Sequence, residues 1–452
     1  MRSAIVAAVL CSAAMVVPML AAEKDLPTGT WVGRWIREGS AVDVTMRISK
    51  SRQGYEGSFD SEGLRVAGIP MQKVIWAKPE LRWEVRSDSG LETYRGQVRR
   101  GTLSGEFTQG EARGRFSFLR SSRASPPPKR EEITFESGEV VLAGTIFVPA
   151  GAGPHPGIVF LHGSGAEGRW ASNYLALRFA RGGFAALAFD KRGVGQSGGD
   201  WQTAGFDELA SDAAAAVSAL SAKPYVAPGK VGIHGHSQGG TLAPLAAVRI
   251  GHPAFIIASA GSGLSMRETE TFSVENSLGV NNLPPIEAEE ARAFVKAITA
   301  TAFEGQPYEK AVEAWRNIQR RPWAFDLPSS SHSYWRFCGK IAGYDATTYW
   351  RLVSAPTLLA YGEKDERVPP RPSSARIAEA YLNGSGTSFQ LRFFPGADHT
   401  FRLPPDPGGA FSWPRTATGY PEALIDWAAG VVGLASGEGE GRKPSGGTHR
   451  QH

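Results

Sequence analysis

Lys230-Val231-Gly232-Ile233-His234-Gly235-His236-Ser237-Gln238-Gly239-Gly240-Thr241 carries three structural signals in one short segment. Lys230 to Ile233 reads as a buried strand, and Thr241 to Arg249 reads as a helix. Between them, Gly235-His236-Ser237-Gln238-Gly239 places one glycine two residues before a serine and another two residues after it. Lacking a Cβ, glycine lets the chain pass from strand to helix in a tight turn. Such a turn lifts the Ser237 hydroxyl clear of the backbone at the end of a sheet. A serine hydroxyl is a poor nucleophile unless its oxygen is presented and a base removes its proton. The spacing supplies presentation, and the helix N-terminus behind Ser237 favours negative charge developing there. A bare G-x-S-x-G means little; its strand–turn–helix setting gives it weight.

Working outward, an acid and a histidine should follow in that order. Tyr361-Gly362-Glu363-Lys364-Asp365 closes a predicted strand, with Asp365 at its carboxyl end, where open sheets present ligand-facing residues. Phe394-Pro395-Gly396-Ala397-Asp398-His399 closes the next strand and sets His399 in the loop beyond. His399 is expected to take the Ser237 proton and return it to a leaving group, while Asp365 orients the ring. Glu363, Glu366 and Asp398 compete for the acid's place; the strand-end position ranks Asp365 first. The oxyanion needs two backbone donors. The Gln238 N–H follows the nucleophile. The second is sought in Leu161-His162-Gly163-Ser164-Gly165, with Ser164 N–H first and Gly163 N–H second. His162 and His236 are expected to brace these loops rather than act as bases.

The surrounding sequence alternates strands and helices. Strands are expected at Val140–Val148, Gly157–Leu161, Phe184–Phe189, Phe255–Ser259, Thr357–Tyr361 and Phe389–Phe394. Helices fall at Tyr174–Arg181 and Asp207–Leu220. This order implies a mostly parallel sheet covered by helices. From about Ser262 to Arg351 it gives way to a helical insertion rich in aromatics: Trp315, Trp323, Phe325, Tyr334, Trp335, Phe337, Tyr349 and Trp350. Such a cap can wall an apolar pocket, although each ring by itself reads more simply as packing.

On these motifs, joined by His162-Gly163-Ser164-Gly165 and Asp190-Lys191-Arg192-Gly193-Val194-Gly195-Gln196-Ser197, the region from Glu131 to Gly433 resembles the α/β hydrolases. Within them it looks like the bacterial esterase, dienelactone-hydrolase-like and serine-aminopeptidase-like group. The resemblance implies an α/β-hydrolase sheet, mostly parallel, with helices on both faces and a helical cap. It also implies that Asp190 to Ser197 is a structural turn; Arg192 there has the reach to meet a carboxylate.

The N-terminal part reads differently. Val42-Asp43-Val44-Thr45-Met46-Arg47-Ile48 alternates apolar and polar side chains, and turn signals recur at Gln53-Gly54, Glu62-Gly63, Asp88-Ser89-Gly90, Arg100-Gly101 and Gln109-Gly110. A small all-β domain over 23–120 is expected, as a meander, barrel or sandwich. Residues 23–130 hold 20 Lys/Arg against 13 Asp/Glu. The bland reading is that arginines fill the solvated face of each strand; the functional one is weak contact with an anionic envelope surface. Residues 121–130, with Pro126-Pro127-Pro128, read as a linker, 131–435 as the hydrolase domain, and 436–452, including His449 and His452, as a disordered tail.

Residues 1–22 read as a secretory signal: Arg2, the apolar run Ala4–Leu20, and the small residues Ala21-Ala22 before Glu23. Pro18 and the short run argue against a membrane anchor, and Leu10 argues against lipidation at Cys11. The chain is therefore expected in the periplasm or secreted, with Cys338 as its remaining cysteine and no stable membrane insertion. A net charge of +5 does not favour nucleic-acid binding. Neither a phosphate loop nor a paired metal-ligand motif is present, so no cofactor or metal is expected. The leading expectation is a serine hydrolase of small-molecule carboxylic esters. An aminopeptidase or acyl-peptide hydrolase would use the same residues, with Glu268, Glu270 or Glu287–Glu290 holding a free amine. An inactive envelope-binding protein is the expectation of another class.

Overall fold

A computed structural model describes residues 26–37, 40–51, 54–61, 63–64, 66–87, 90–121, 128–404 and 415–434. The expected signal segment, most of the expected linker and the tail from 436 lie outside the described residues. The chain divides into two compact units, Met1–Pro126 with Leu403–Thr416, and Pro127–Arg402 with Ala417–His452.

In the first unit, eight antiparallel strands close into a barrel. They are β1 Gly29–Arg37, β2 Ser40–Ser51, β3 Gly54–Ser61, β4 Val66–Ala77, β5 Glu80–Ser87, β6 Gly90–Arg99, β7 Thr102–Gln109 and β8 Ala112–Ser121. Each strand pairs with the next, and β1 pairs with β8 (Trp35 opposite Phe116), so no edge is left open. The hairpin between β6 and β7 turns on Arg100 (φ 50°) and Gly101 (φ 79°), both left-handed as a two-residue turn matched to strand twist requires. Alternation fills the interior with rings. Trp31, Trp35, Phe59, Trp83, Tyr94, Phe107, Phe116 and Phe118 are buried together, with Trp83 stacked on Tyr94 at 4.9 Å. Along β8 the exposed Arg113 and Arg115 alternate with buried Gly114 and Phe116, the pattern of a solvated outer face.

The second unit is built on eight strands in the order β16-β15-β14-β13-β11-β12-β10-β9. These are β9 Lys129–Ser137, β10 Val140–Val148, β11 His155–Leu161, β12 Ala185–Phe189, β13 Val226–His236, β14 Ile256–Ser259, β15 Thr357–Gly362 and β16 Phe389–Phe394. Strands β11 to β16 run parallel, and β10 is antiparallel to both of its neighbours. Every residue of β12 and β14 is buried, as a sheet covered on two faces demands. Lys129 and Arg130, expected in the linker, instead open β9, where Arg130 lies opposite Phe147 and stacks its guanidinium on that ring.

Helices α1 Asn173–Arg181, α2 Phe206–Ser221 and α3 Gln238–Ile250 follow β11, β12 and β13. Helices α4 Met266–Ser277, α5 Pro285–Glu304, α6 Tyr308–Ile318, α7 Ser333–Ile341 and α8 Ala346–Trp350 form the expected insertion between β14 and β15, and α9 Pro370–Leu382 and α10 Tyr420–Val432 complete the set. α2, α3, α8 and α9 pack as one contiguous layer, while α1 packs with α10. The loops that leave β11, β13, β15 and β16 all start at carboxyl ends of parallel strands, where such sheets bind ligands.

Candidate active site

Ser237 sits between β13 and α3 at φ 56°, ψ −117°, a conformation that non-glycine residues rarely adopt. The flanking glycines are demanded by contact. A Cβ on Gly235 would lie 2.2 Å from the Gly239 carbonyl oxygen, and one on Gly239 would lie 2.8 Å from the carbonyl oxygens of Leu161 and His162. The Ser237 N–H is tied to the Ser259 carbonyl at 2.9 Å, which fixes the turn against β14.

The structure brings Ser237, His399 and Asp365 into one line. His399 Nε2 lies 2.9 Å from Ser237 Oγ, and His399 Nδ1 lies 2.9 Å from each Asp365 carboxylate oxygen. A carboxylate only accepts, so Nδ1 carries the donated hydrogen and Nε2 of the neutral ring is free to accept from the serine hydroxyl. Asp365 (4% exposed) also accepts the N–H groups of Arg367 and Val368, each at 2.8 Å, so its buried charge is met by three donors. The other acids lie elsewhere. Glu366 takes the His399 backbone N–H at 3.3 Å, Asp398 caps its own turn through Thr400 and Arg402, and Glu363 lies 3.8 Å from Arg371.

The bracing histidines behave as their positions suggest. His236 Nε2 donates to the His399 carbonyl at 2.9 Å, and His162 Nε2 donates to the Phe189 carbonyl at 2.5 Å. Burial, seconded by the Lys191 charge, pulls the His162 imidazole down to about 3.

The two loop donors part company. Gly163 N–H is engaged by the Glu167 carboxylate at 2.6 Å, which removes it as an oxyanion donor in this arrangement. Among the described residues, neither the Ser164 nor the Gln238 N–H meets a backbone acceptor, and both residues line the cavity that holds Ser237 and His399. Under this loop, Lys191 Nζ donates to the carbonyls of Gly163 (2.5 Å) and Gly165 (2.8 Å). Burial lowers the Lys191 ammonium to about 8 against the pull of Glu167. In the same turn Arg192 does meet a carboxylate, forking onto Asp212 at 2.6 and 2.8 Å.

The cavity holds about 530 Å³ and is walled by Trp201, Phe206, Met266, Phe303, Phe337 and Ile341, with Cys338, Glu270 and Arg367 among its polar groups. Of the eight cap aromatics singled out in the sequence, Tyr334 and Phe337 line it. Trp315, Trp323, Phe325 and Trp335 pack within the cap, Tyr349 packs against the sheet-side core, and Trp350 is buried in that core. Trp201, Phe206 and Phe303 belong to the wall without having been singled out; no local pattern marks them.

The candidate carboxylates also separate. Glu268 accepts the N–H of Ser265, the N-cap of α4, at 2.9 Å and pairs with Arg376, while Glu287 and Glu290 pair with Arg321. Glu270 alone of these lines the cavity, where it accepts the Tyr334 hydroxyl at 2.9 Å. Burial pushes its carboxyl up from the usual range.

An open, mostly parallel sheet with a strained serine elbow at its carboxyl edge and a cap over it defines the α/β-hydrolase class. The comparisons agree: the model of the alpha/beta hydrolase family matches residues 158–412, and the chain belongs to that family. It is similar to the non-heme chloroperoxidase of Burkholderia pyrrocinia, 26% identical over 254 residues that make up 54% of this chain and 84% of that protein. Among solved structures it is similar to an esterase from Pyrococcus furiosus, at 16% identity and a TM-score of 0.44, over 70% of this chain and 96% of the other. It is also similar to a dienelactone hydrolase from Anabaena variabilis, at 18% identity and a TM-score of 0.37, over 67% and 97%.

Proposed function

We propose that this protein is an exported serine hydrolase that cleaves carboxylic esters through an acyl-enzyme. The observation that carries the reading is the continuous contact from Asp365 through His399 to Ser237 Oγ, at 2.9 Å in each step. In the proposed cycle Ser237 Oγ attacks the ester carbonyl as His399 Nε2 takes its proton. The resulting oxyanion is held by the Gln238 and Ser164 N–H groups, while Asp365 stabilises the imidazolium and keeps its orientation. Collapse expels the alcohol with the proton from His399 and leaves the acyl group on Ser237. Water, deprotonated by the same ring, then releases the acid and restores the serine. The apolar wall around the cavity suits an acyl or aromatic group of small to medium size.

A screen of p-nitrophenyl acyl esters of rising chain length tests this reading. Turnover with a burst of one nitrophenolate per protein is expected, and no release above that of Ser237→Ala would overturn it. A second reading, a peptidase acting on short peptides with a free N-terminus, is favoured by one observation: Glu270 faces the cavity without an ion pair at close range among the described residues. Aminoacyl-p-nitroanilides separate the two. Cleavage that outpaces the acyl esters and is lost in Glu270→Gln supports the peptidase. Export is checked by the mass of protein recovered from the periplasm or medium, which should begin at Glu23.

A further inference from the structure

Lys191 belongs to the Asp190–Ser197 turn, a motif that the cycle above does not use. It is 2% exposed, unusual for a lysine. A buried ammonium is costly unless its hydrogens find acceptors, and those of Lys191 find the carbonyls on either side of Ser164. The peptide joining Gly163 to Ser164 is trans, so its C=O and N–H point in opposite directions. A Gly163 carbonyl drawn onto Lys191 Nζ therefore turns the Ser164 N–H away from Lys191.

We propose that Lys191 is a positioning residue of the oxyanion loop: by holding the Gly163 and Gly165 carbonyls, it aims the Ser164 N–H into the cavity that Ser237 lines. Three further contacts lock the same loop. Glu167 takes the Gly163 N–H at 2.6 Å, its own N–H donates to the Gly165 carbonyl at 3.0 Å, and its carbonyl accepts the Lys191 N–H at 3.3 Å. Gly163 is thus withdrawn as a donor and Ser164 is the one left over. The ammonium does more than hold. A carbonyl bonded to a cation polarises the N–H across the same peptide, which strengthens that N–H as a donor to developing negative charge.

The inference rests on the ester-hydrolase reading, and its test separates the two. An ester and its thionoester, with C=S in place of C=O, are compared as substrates. Sulfur accepts hydrogen bonds weakly, so the ratio of kcat/KM between them reports how well the oxyanion donors are aimed. Lys191→Met keeps the stem and deletes the ammonium. It is expected to lower kcat/KM for the oxygen ester about ten- to a hundredfold, through kcat rather than KM. The thionoester should lose far less, so the ratio contracts. Lys191→Gln, which retains one donor, should fall between Lys191→Met and the unaltered protein, and thermal unfolding checks that each variant folds. Equal losses on both substrates, an unchanged ratio in whichever variant folds, or failure of both to fold would reduce Lys191 to a structural residue and overturn the inference. An unaltered protein that leaves the oxygen ester intact would instead bring down the ester-hydrolase reading, and this inference with it.

Discussion

The barrel and the α/β unit bury different things. Within the barrel the interior is a set of rings in contact with one another, and among its described residues the one charged side chain counted as buried is Asp60, held by Arg47 at 2.6 Å. The α/β unit buries Asp190, Lys191, Asp212, Asp365, His155, His162, His234 and His399. Both units have ample apolar surface to fold on, so stability alone does not call for this difference. Buried polar and charged groups have to be matched partner by partner, and five of these, His162, Asp190, Lys191, Asp365 and His399, follow the carboxyl ends of sheet strands, where such sheets bind ligands. The barrel's chemistry is packing; that of the α/β unit is the placement of protons and dipoles.

Substitutions can break this contrast or sharpen it. The largest effect is expected at Ser237: Ser237→Ala should lower kcat by about 10⁶-fold while leaving the melting curve in place. Asp365→Asn follows, with a loss of about 10⁴-fold in kcat, because an amide facing Nδ1 no longer fixes the ring with its hydrogen on that side. If Glu366→Gln were the more damaging change, the acid would be misassigned. In the barrel the signs reverse. Trp83→Ala should cost about 3–5 kcal/mol of unfolding free energy, measured in denaturant, and leave kcat/KM of the folded protein within about twofold. An activity loss far beyond that would mean that the barrel is part of the catalytic apparatus.

The smallest effect concerns acid. His162 is held neutral down to about 3 in the fold and titrates near 6.5 in an unfolded chain. The unfolded state therefore binds the extra proton across that window, and stability falls as pH drops from about 6.5 toward 3. His162→Gln, which keeps an N–H for the Phe189 carbonyl, should flatten that decline by about 1–3 kcal/mol. An unchanged acid limb in urea titrations would show that His162 does not set it.

Much of the α/β unit was legible in the sequence because its constraints are local. Gly235 and Gly239 are glycines because a Cβ at either would strike backbone, and that necessity shows in the sequence as spacing. Strand ends announced Asp365 and His399 for a similar reason: buried apolar runs stop where the chain reaches the edge of the sheet. What stayed hidden depends on which way side chains turn in the folded chain, over four residues at Gly163 and Glu167 as much as between distant segments. Nothing around Gly163 reveals that Glu167 claims its N–H, and nothing in a glycine-rich turn reveals that Lys191 points back under another loop. Glu268 and Glu270 look alike in sequence, yet the first faces Arg376 and the second faces the cavity. The closing pair β1–β8 joins strands some eighty residues apart, so alternation could suggest a barrel or a sandwich without choosing. Strand β9 was obscured by the prolines just before it, which drew Lys129 and Arg130 into the expected linker.

The central claim is that the Ser237 oxygen is activated by His399, and covalent labelling tests it most directly. Intact mass and peptide mapping after treatment with a fluorophosphonate should show a single adduct on Ser237, absent in Ser237→Ala and formed far more slowly in His399→Ala. An unlabelled Ser237 in folded protein, or labelling that proceeds at the same rate without His399, would contradict it.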